Sequence, residues 1–367
     1  MKNTFGTSIS LTVFGESHGD EIGVVIDGLC PGICIDNDDI SRALSRRRPS
    51  SSVDTGRREP DNFKIISGVF NGKSTGAPIT ITIKNEVQNS GDYDKLCGIA
   101  RPSHADLAAH FKYHGYEDYR GGGHFSGRIT APIVAAGAIF EKALDMIGIH
   151  IGTHIVSCGN AKDRDFSDIS SDIASLKKKS FPVLDDDAEK RITDEILNAK
   201  KDGDSIGGKV QTGIIGAVPG IGEPWFDSVE GILAHALFSI GGIKGVEFGS
   251  GFDGCKLRGS EFNDEIRYEH GSIITKTNNN GGVNGGITNG MPIIFSCAVK
   301  PTPSISIAEE TINMNTLENT VINISGRHDP AIIRRICPVI DSVTALVLCD
   351  LSAQRFGTDV FTKGVKK

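Results

Sequence analysis

Residues 7–27 read TSISLTVFGESHGDEIGVVID. Two β-leaning runs, 7–14 and 22–27, flank a Gly-Glu-Ser-His-Gly turn and predict two strands joined by that turn. The content of the turn is unusual. Glu16, Ser17 and His18 are proton donors and acceptors, and Gly15 and Gly19 bracket them. Glycine lets a backbone fold tightly and lets a ligand come close. The stretch therefore predicts a sheet and, at its corner, a histidine around which space has been cleared.

Outward from this corner, Asp36–Arg48 reads as a helix with Asp36 as its cap. Residues 49–61, PSSSVDTGRREPD, lack apolar periodicity and predict a mobile basic loop. FKIISGVFNG and APITITIKN are β-like, and 107–113 and 131–148 have helical period. Residues 160–203 are dense in charge and predict a solvated excursion with one helix over about 187–201. A strand over KVQTGIIGAV, a helix over 231–240 and a strand over MPIIFSCAVK follow. Residues 332–351 predict a helix that Pro338 breaks. Gly-x-Pro-Ile opens two of the strands, after Thr75 and after Asn289. Chance and a duplicated α/β half both account for that echo.

The chain has 367 residues, 38% hydrophobic and 23% charged, enough for a sizeable core. Its 45 glycines are about 12% of the total against a usual ~7%, so tight loops are many. The opening MKNTFGTSIS has no apolar signal segment, and the run 131–140 is too short to span a bilayer. Eight cysteines without a CxxC pair read as cytoplasmic thiols, with no metal site. A net charge of −7 argues against nucleic acid as a partner. Arginine is nonetheless concentrated: Arg46–Arg48, Arg57–Arg58, Arg101, Arg120, Arg128, Arg327 and Arg334–Arg335 sit in or beside glycine-rich stretches. A guanidinium grips phosphate or carboxylate with two bonds, so these blocks point to a small polyanion.

Two motifs are decoys. Asn71-Gly-Lys-Ser-Thr lacks the first glycine of a P-loop, where Ser67 stands, and a strand follows it. Gly249–Gly254 matches GxGxxG, but CKLRGSEFND opens no helix. Four polar clusters remain: Glu16-Ser17-His18, Arg101–Asp106 around His104, Arg120–Arg128 around His124 and Ser126, and Gly326–Pro330. Histidine protonates leaving groups near neutral pH and arginine holds their charge, so the spacing points to acid-assisted chemistry on a phosphorylated substrate. A histidine- or metal-dependent phosphohydrolase and a non-catalytic flavin- or phosphate-binding protein are the rival readings.

FGESHG, RREPD, RPSHAD, GDSIGG, NGGVNGGITNG, VKPTPSI and GRHDP stand in the order found in the chorismate synthase family, which the chain resembles from about residue 5 to 356. The resemblance implies an α/β layered sandwich of helices and mostly antiparallel sheets, one catalytic domain over 1–367, and a cytoplasmic homotetramer without membrane or nucleic acid partners. It implies a lyase of the shikimate pathway that eliminates phosphate from 5-enolpyruvylshikimate 3-phosphate with reduced FMN (FMNH2). NADPH enters only as a flavin reductant. His18 resembles the acid that protonates departing phosphate, and His104 the histidine that faces the flavin. Ser17 and Ser126 resemble a hydroxyl pair beside them, and Asp350 the acid that assists removal of the C6 proton. For FMN the matching positions are His124, Phe125, Ser126, Gly241, Gly242, Gly285, Lys300, Pro301, Thr302, Pro303, Ser304 and Arg327. Arg47, Arg48, Arg101, Arg128 and Arg334 are the expected substrate contacts, with Arg47 also matched to NADPH. Many relatives read Arg-Ser-Ser-Ala-Arg where this chain has His124-Phe-Ser-Gly-Arg128.

Overall fold

The computed structural model describes residues 2–51, 53–54, 59–86, 97–324 and 329–364. The first part of the chain runs β1 (Thr4–Phe5), β2 (Ser10–Phe14), β3 (Glu21–Asp27), α1 (Asn37–Arg47), β4 (Phe63–Ser67), β5 (Ile79–Lys84), α2 (Asp106–Tyr113) and α3 (Thr130–Asp145). The second runs β6 (His150–Cys158), β7 (Ala161–Lys162), α4 (Ile169–Leu176), α5 (Asp186–Lys201), β8 (Gly208–Ile215), α6 (Val229–Phe238), β9 (Ile243–Phe248), β10 (Ile293–Val299) and α7 (Ile333–Phe356).

Each part builds one five-stranded antiparallel sheet, ordered β1-β2-β3-β5-β4 and β7-β6-β8-β10-β9. The four longer strands follow the same path in both. The fourth to form inserts beside the second, and the third takes the edge. A helix separates the strand pairs and a longer helix closes each set: α1 and α3 in the first, α6 and α7 in the second. The two Gly-x-Pro-Ile segments lead into β5 and β10, which hold the same place in the two sheets. The echo therefore marks a duplicated architecture, not a coincidence.

The alternation in β3 and β5 turns Ile22, Val24, Ile26, Ile79, Ile81 and Ile83 into the core, each no more than 1% exposed. These faces and their counterparts on the second sheet cover a helical layer in which α3 crosses α7. At the crossing a Cβ on Gly137 would lie 2.1 Å from Ser342 Oγ. Buried side chains from both sheets and the helices form one continuous cluster.

Three expectations are corrected. α7 runs through Pro338 unbroken. The ring removes one main-chain donor, a loss of ~3 kcal/mol. The helix buries residue after residue along its length, each large apolar side chain contributing ~1.5–3 kcal/mol, and that outweighs the loss. The stretch 160–203 is no solvated excursion. It carries two helices, and Ile173, Leu176, Phe181, Val183, Ile192 and Ile196 are buried. Ile169 and Ile173 pack over Gly213 and Gly152 of the second sheet. Within residues 49–61, Val53, Asp54 and Asp61 are buried, so the described part of that segment is anchored.

The helical layer also encloses charge. Arg46 of α1 bonds Asp341 of α7 at 2.9 Å, and Glu141 of α3, half-buried with Lys177 Nζ 4.0 Å from its carboxylate, lies at the edge of the layer nearby. Burial first, and the Asp341 carboxylate second, push the Glu141 carboxyl up to about 7 from its ordinary 4.5. Between those values the folded chain keeps a proton that the unfolded chain has released, so this group makes stability fall as pH rises through the window. Glu141→Gln is expected to raise unfolding stability at pH 8 by about 1–3 kcal/mol and to leave it little changed at pH 4. Urea melts at the two pH values check this.

Candidate active site

A cavity of about 860 Å³ opens between the first sheet and the helical layer. Leu11, Val13, Ile133, Val339, Val343 and Leu346 form its apolar wall. Its other side brings together His104, His124, Phe125, Ser126, Gly241, Gly242 and the segment Lys300–Ser304, all residues expected at the site. Arg47, Arg101 and Arg128 line it too, as do Arg335, Asp329, Tyr113 and His235, which that reading did not assign. Among the described residues, Lys2, Arg47, Arg101, Arg128, Lys300 and Arg335 set six cationic side chains against Glu59, Asp61 and Asp329. The surplus suits a polyanion.

His18 and Ser17 are buried and do not themselves line the cavity; Gly121, which does, lies directly against the His18 ring. Ser17 Oγ donates to the Arg120 carbonyl at 3.2 Å and lies 3.0 Å from His18 Nδ1. A hydroxyl has one proton to give, so Nδ1 donates to Ser17 and Nε2 is the exchangeable nitrogen of His18. Gly15 has φ +96, and a Cβ there would meet the Glu21 carbonyl at 2.5 Å, so the turn itself demands that glycine. A Cβ on Gly19 would stand 3.5 Å from the Glu16 carbonyl, an ordinary contact. A second glycine run, from elsewhere in the chain, also closes on His18. Gly121, Gly122 and Gly123 all have positive φ and carry the chain past both histidines. A Cβ on Gly121 would lie 2.2 Å from His18 Cε1, and one on Gly122 would lie 3.0 Å from His104 Cε1.

The arginines divide by what already holds them. Arg128 is bound by Asp61, by Asn85 Oδ1 at 3.0 Å and by the Lys84 carbonyl. Arg101 gives Nε and one terminal nitrogen to Asp106. Arg48 pairs with Asp61 and does not line the cavity. Burial alone would raise the Asp61 carboxyl, but Arg47, Arg128 and Arg48 outweigh it and hold it below the usual range. Arg47 is pulled down to about 9 by burial and then by repulsion from Arg335 and Arg128, a strain that a bound anion would relieve.

Other expected contacts lie away from the cavity. Arg334 is 3% exposed and grips Asp54 with two nitrogens, while Arg335, about 100° further round the helix, faces the cavity and pairs with Asp329. Asp350 does not line the cavity either. Its carboxylate accepts the backbone N–H groups of Thr7, Ser8 and Ile9 and the Gln354 amide, so it pins the segment joining β1 to β2. Gly285 sits at the exposed tip of a hairpin whose strands are otherwise largely buried, and it does not line the cavity, while Arg327 lies outside the described residues.

Two outcomes follow from this geometry. Gly121→Ala should lose at least 1 kcal/mol from the left-handed backbone alone and displace His18, seen as a lowered midpoint in urea and a changed His18 NMR signal. Arg334→Lys breaks a buried bidentate pair and should lower stability by about 2–4 kcal/mol. Inorganic phosphate is expected to raise the melting temperature of the wild type, and Arg335→Lys should weaken that rise while leaving stability without phosphate within about 1 kcal/mol.

The family model described as chorismate synthase matches residues 9–352. A chorismate synthase of Pyrococcus abyssi (strain GE5 / Orsay) is 43% identical over 345 residues, covering 94% of this chain and 96% of that one. One of Dehalococcoides mccartyi (strain ATCC BAA-2100 / JCM 16839 / KCTC 5957 / BAV1) is 44% identical over 355 residues, covering 96% and 97%. A solved structure titled as a crystal structure of chorismate synthase superposes with a TM-score of 0.76 at 28% identity, covering 96% of this chain and 94% of that one. With its layered α/β sandwich and its histidine- and arginine-lined cavity, this chain belongs to the chorismate synthase family.

Proposed function

We propose that the chain is a lyase that converts 5-enolpyruvylshikimate 3-phosphate to chorismate, with reduced FMN in the cavity and no net oxidation. This is the last common step of the shikimate route to the aromatic amino acids. The observation that carries the proposal is the cationic cavity whose glycine turn holds His18 on one side and His104 on the other. The substrate has one phosphate and two carboxylates, and the arginine surplus matches them.

The residues present fit a flavin. The apolar wall suits a planar ring system. Gly241 offers backbone with open space at its Cβ position, and Lys300 N donates to the Gly242 carbonyl at 2.9 Å, setting the Lys300–Ser304 segment beside the glycines. His124 to Ser126 close the site opposite. Reduced FMN, when bound, supplies electron density to the substrate transiently and recovers it. His18, one layer behind the lining Gly121, gives the proton that neutralises phosphate as the C3–O bond breaks, and the glycine's missing side chain leaves the ring within reach of the cavity. Arg47 and Arg335 hold the anionic groups. Asp329, which lines the cavity, takes the C6 proton in place of Asp350, whose oxygens are occupied by backbone donors.

In this reading NADPH acts only as a reductant of the flavin. The chain works in the cytoplasm as a homotetramer. Trp225 and Phe226, 86% and 92% exposed, are the kind of apolar surface that assembly covers. Among the described residues, the one helix long and apolar enough to cross a membrane is α7, and it is buried inside the protein.

Anaerobic assay with the phosphorylated substrate and reduced FMN should release phosphate and chorismate in equal amounts. Phosphate release without flavin would replace this reading with a hydrolase, and flavin binding without turnover would replace it with a binding protein. Asp329→Asn and His18→Ala should each lower turnover by roughly 10- to 10⁴-fold with oxidised FMN still bound. Asp350→Asn should instead lower stability by about 1–3 kcal/mol, because an amide N–H2 replaces an oxygen that accepts backbone donors. Turnover and urea melts of the three variants separate the roles.

A further inference from the structure

His104 reaches the cavity from a turn stabilised by Asp106, a residue that does not itself line the cavity. Asp106 Oδ1 lies 2.6 Å from His104 Nδ1. Its other oxygen takes Arg101 Nε at 2.7 Å and the Arg101 backbone N–H at 3.0 Å. Arg101 Nη2 reaches Oδ1 at 2.8 Å and also stands 3.1 Å from His104 Nδ1.

The contacts at Nδ1 conflict, and distance decides between them. A guanidinium only donates, so the Arg101 contact would need a bare Nδ1. A bare Nδ1 would set its lone pair against a carboxylate oxygen at 2.6 Å, which is repulsive. With Nδ1 protonated, the 2.6 Å contact is a short charge-assisted hydrogen bond, and the Arg101 nitrogen binds Asp106 alone. Burial by itself would raise the Asp106 carboxyl, but hydrogen bonds from Arg101 and His104 hold it well below the usual carboxylate range, so it stays an anion. The ring is gripped from its other side too. A Cβ on Gly122 would come within 3.2 Å of His104 Nε2, so that nitrogen faces the glycine turn at the cavity edge.

We infer that Asp106 is a positioning residue of the reaction: clamped by Arg101, it fixes His104 in the Nδ1–H form and keeps Nε2 as the nitrogen that gives or accepts a proton at the cavity. The inference rests on the proposed function for its kinetic consequence and on geometry alone for the tautomer. It reassigns Arg101 from substrate contact to clamp. No bond other than that to the proton forms or breaks in this role, because Asp106 neither enters the cavity nor changes its charge.

The test has an arm that needs no turnover. In the flavin-free protein labelled with ¹⁵N-histidine, with His104→Ala to assign the signal, neutral His104 should carry its proton on Nδ1. In Asp106→Asn the balance should move towards the Nε2–H form that free imidazole side chains favour. A wild-type His104 protonated on Nε2 would overturn the inference. The kinetic arm is a double-mutant cycle with substrate and reduced FMN. Asp106→Asn should lower kcat by roughly 10- to 10³-fold, and His104→Ala/Asp106→Asn should be within about twofold of His104→Ala. Multiplying losses in the double variant would mean that Asp106 acts on the fold and not through His104. If Asp106→Asn fails to fold, the wild-type tautomer alone decides. If the wild type turns nothing over, the proposed function fails while the tautomer result still stands or falls by itself.

Discussion

α7 is buried along nearly its whole length, and this constraint organises the molecule. A helix apolar on all sides needs cover on all sides. The two sheets supply it from opposite faces, with α1, α3 and α6 packed alongside. The same burial makes each charged group on α7 costly unless it is paired. Arg334 therefore holds Asp54, Arg335 holds Asp329, Asp341 holds Arg46, and Asp350 holds three backbone N–H groups near the N-terminus. These pairs tether the helix to the segment joining β1 to β2, to α1 and to the segment before β4, all next to residues that wall the cavity.

The cavity lies where this tethered helix meets the first sheet, so its apolar wall is core surface left unfilled. Ile336, Val339, Val343 and Leu346 follow one stripe of α7. The polar side is built differently. His104 and the His18 behind it belong to loops 86 residues apart in the chain, and the glycine turn at 121–123 packs against both. His104 is held at Nδ1 by Asp106, and His124 and His18 are held at the same nitrogen. His124 donates to the Gly15 carbonyl at 2.7 Å, and His18 is matched to Ser17. A ring held at Nδ1 presents Nε2, and that fixes which nitrogen faces a reacting group.

Duplication explains why a sheet–helix–sheet sandwich arises from one chain. Two sets of strands with the same path each leave one apolar face, and their closing helices α3 and α7 fill the gap between them. The second set carries the larger insertion, and its helices α4 and α5 cover the outer face of β6 and β8. Their signals were present in the sequence. Asp168 precedes two serines whose N–H groups it accepts, and Ile169, Ile173 and Leu176 recur at helical spacing. The dense charge around them masked this stripe, because average composition hides an apolar face only one residue in three or four wide.

Local chemistry was legible wherever the decision was local. Alternation placed β3 and β5, Asp36 capped α1, and the glycine-flanked histidines and arginine blocks marked out residues that the fold gathers at and around one cavity. What the sequence could not decide was direction. Arg334 and Arg335 are chemically identical neighbours, and only the rotation of α7 sends one to Asp54 and the other to the cavity. Asp350 reads as a lone acid in an apolar run, and only tertiary packing reveals the three N–H groups, more than 340 residues away, that claim it. Gly121 stands 103 residues from His18 in sequence, yet a Cβ on it would lie 2.2 Å from the His18 ring. Residue type and spacing determine which chemistry a chain can perform and which elements it forms locally. Which of those groups meet is set by contacts between distant segments, because a side chain's direction follows from what packs against it.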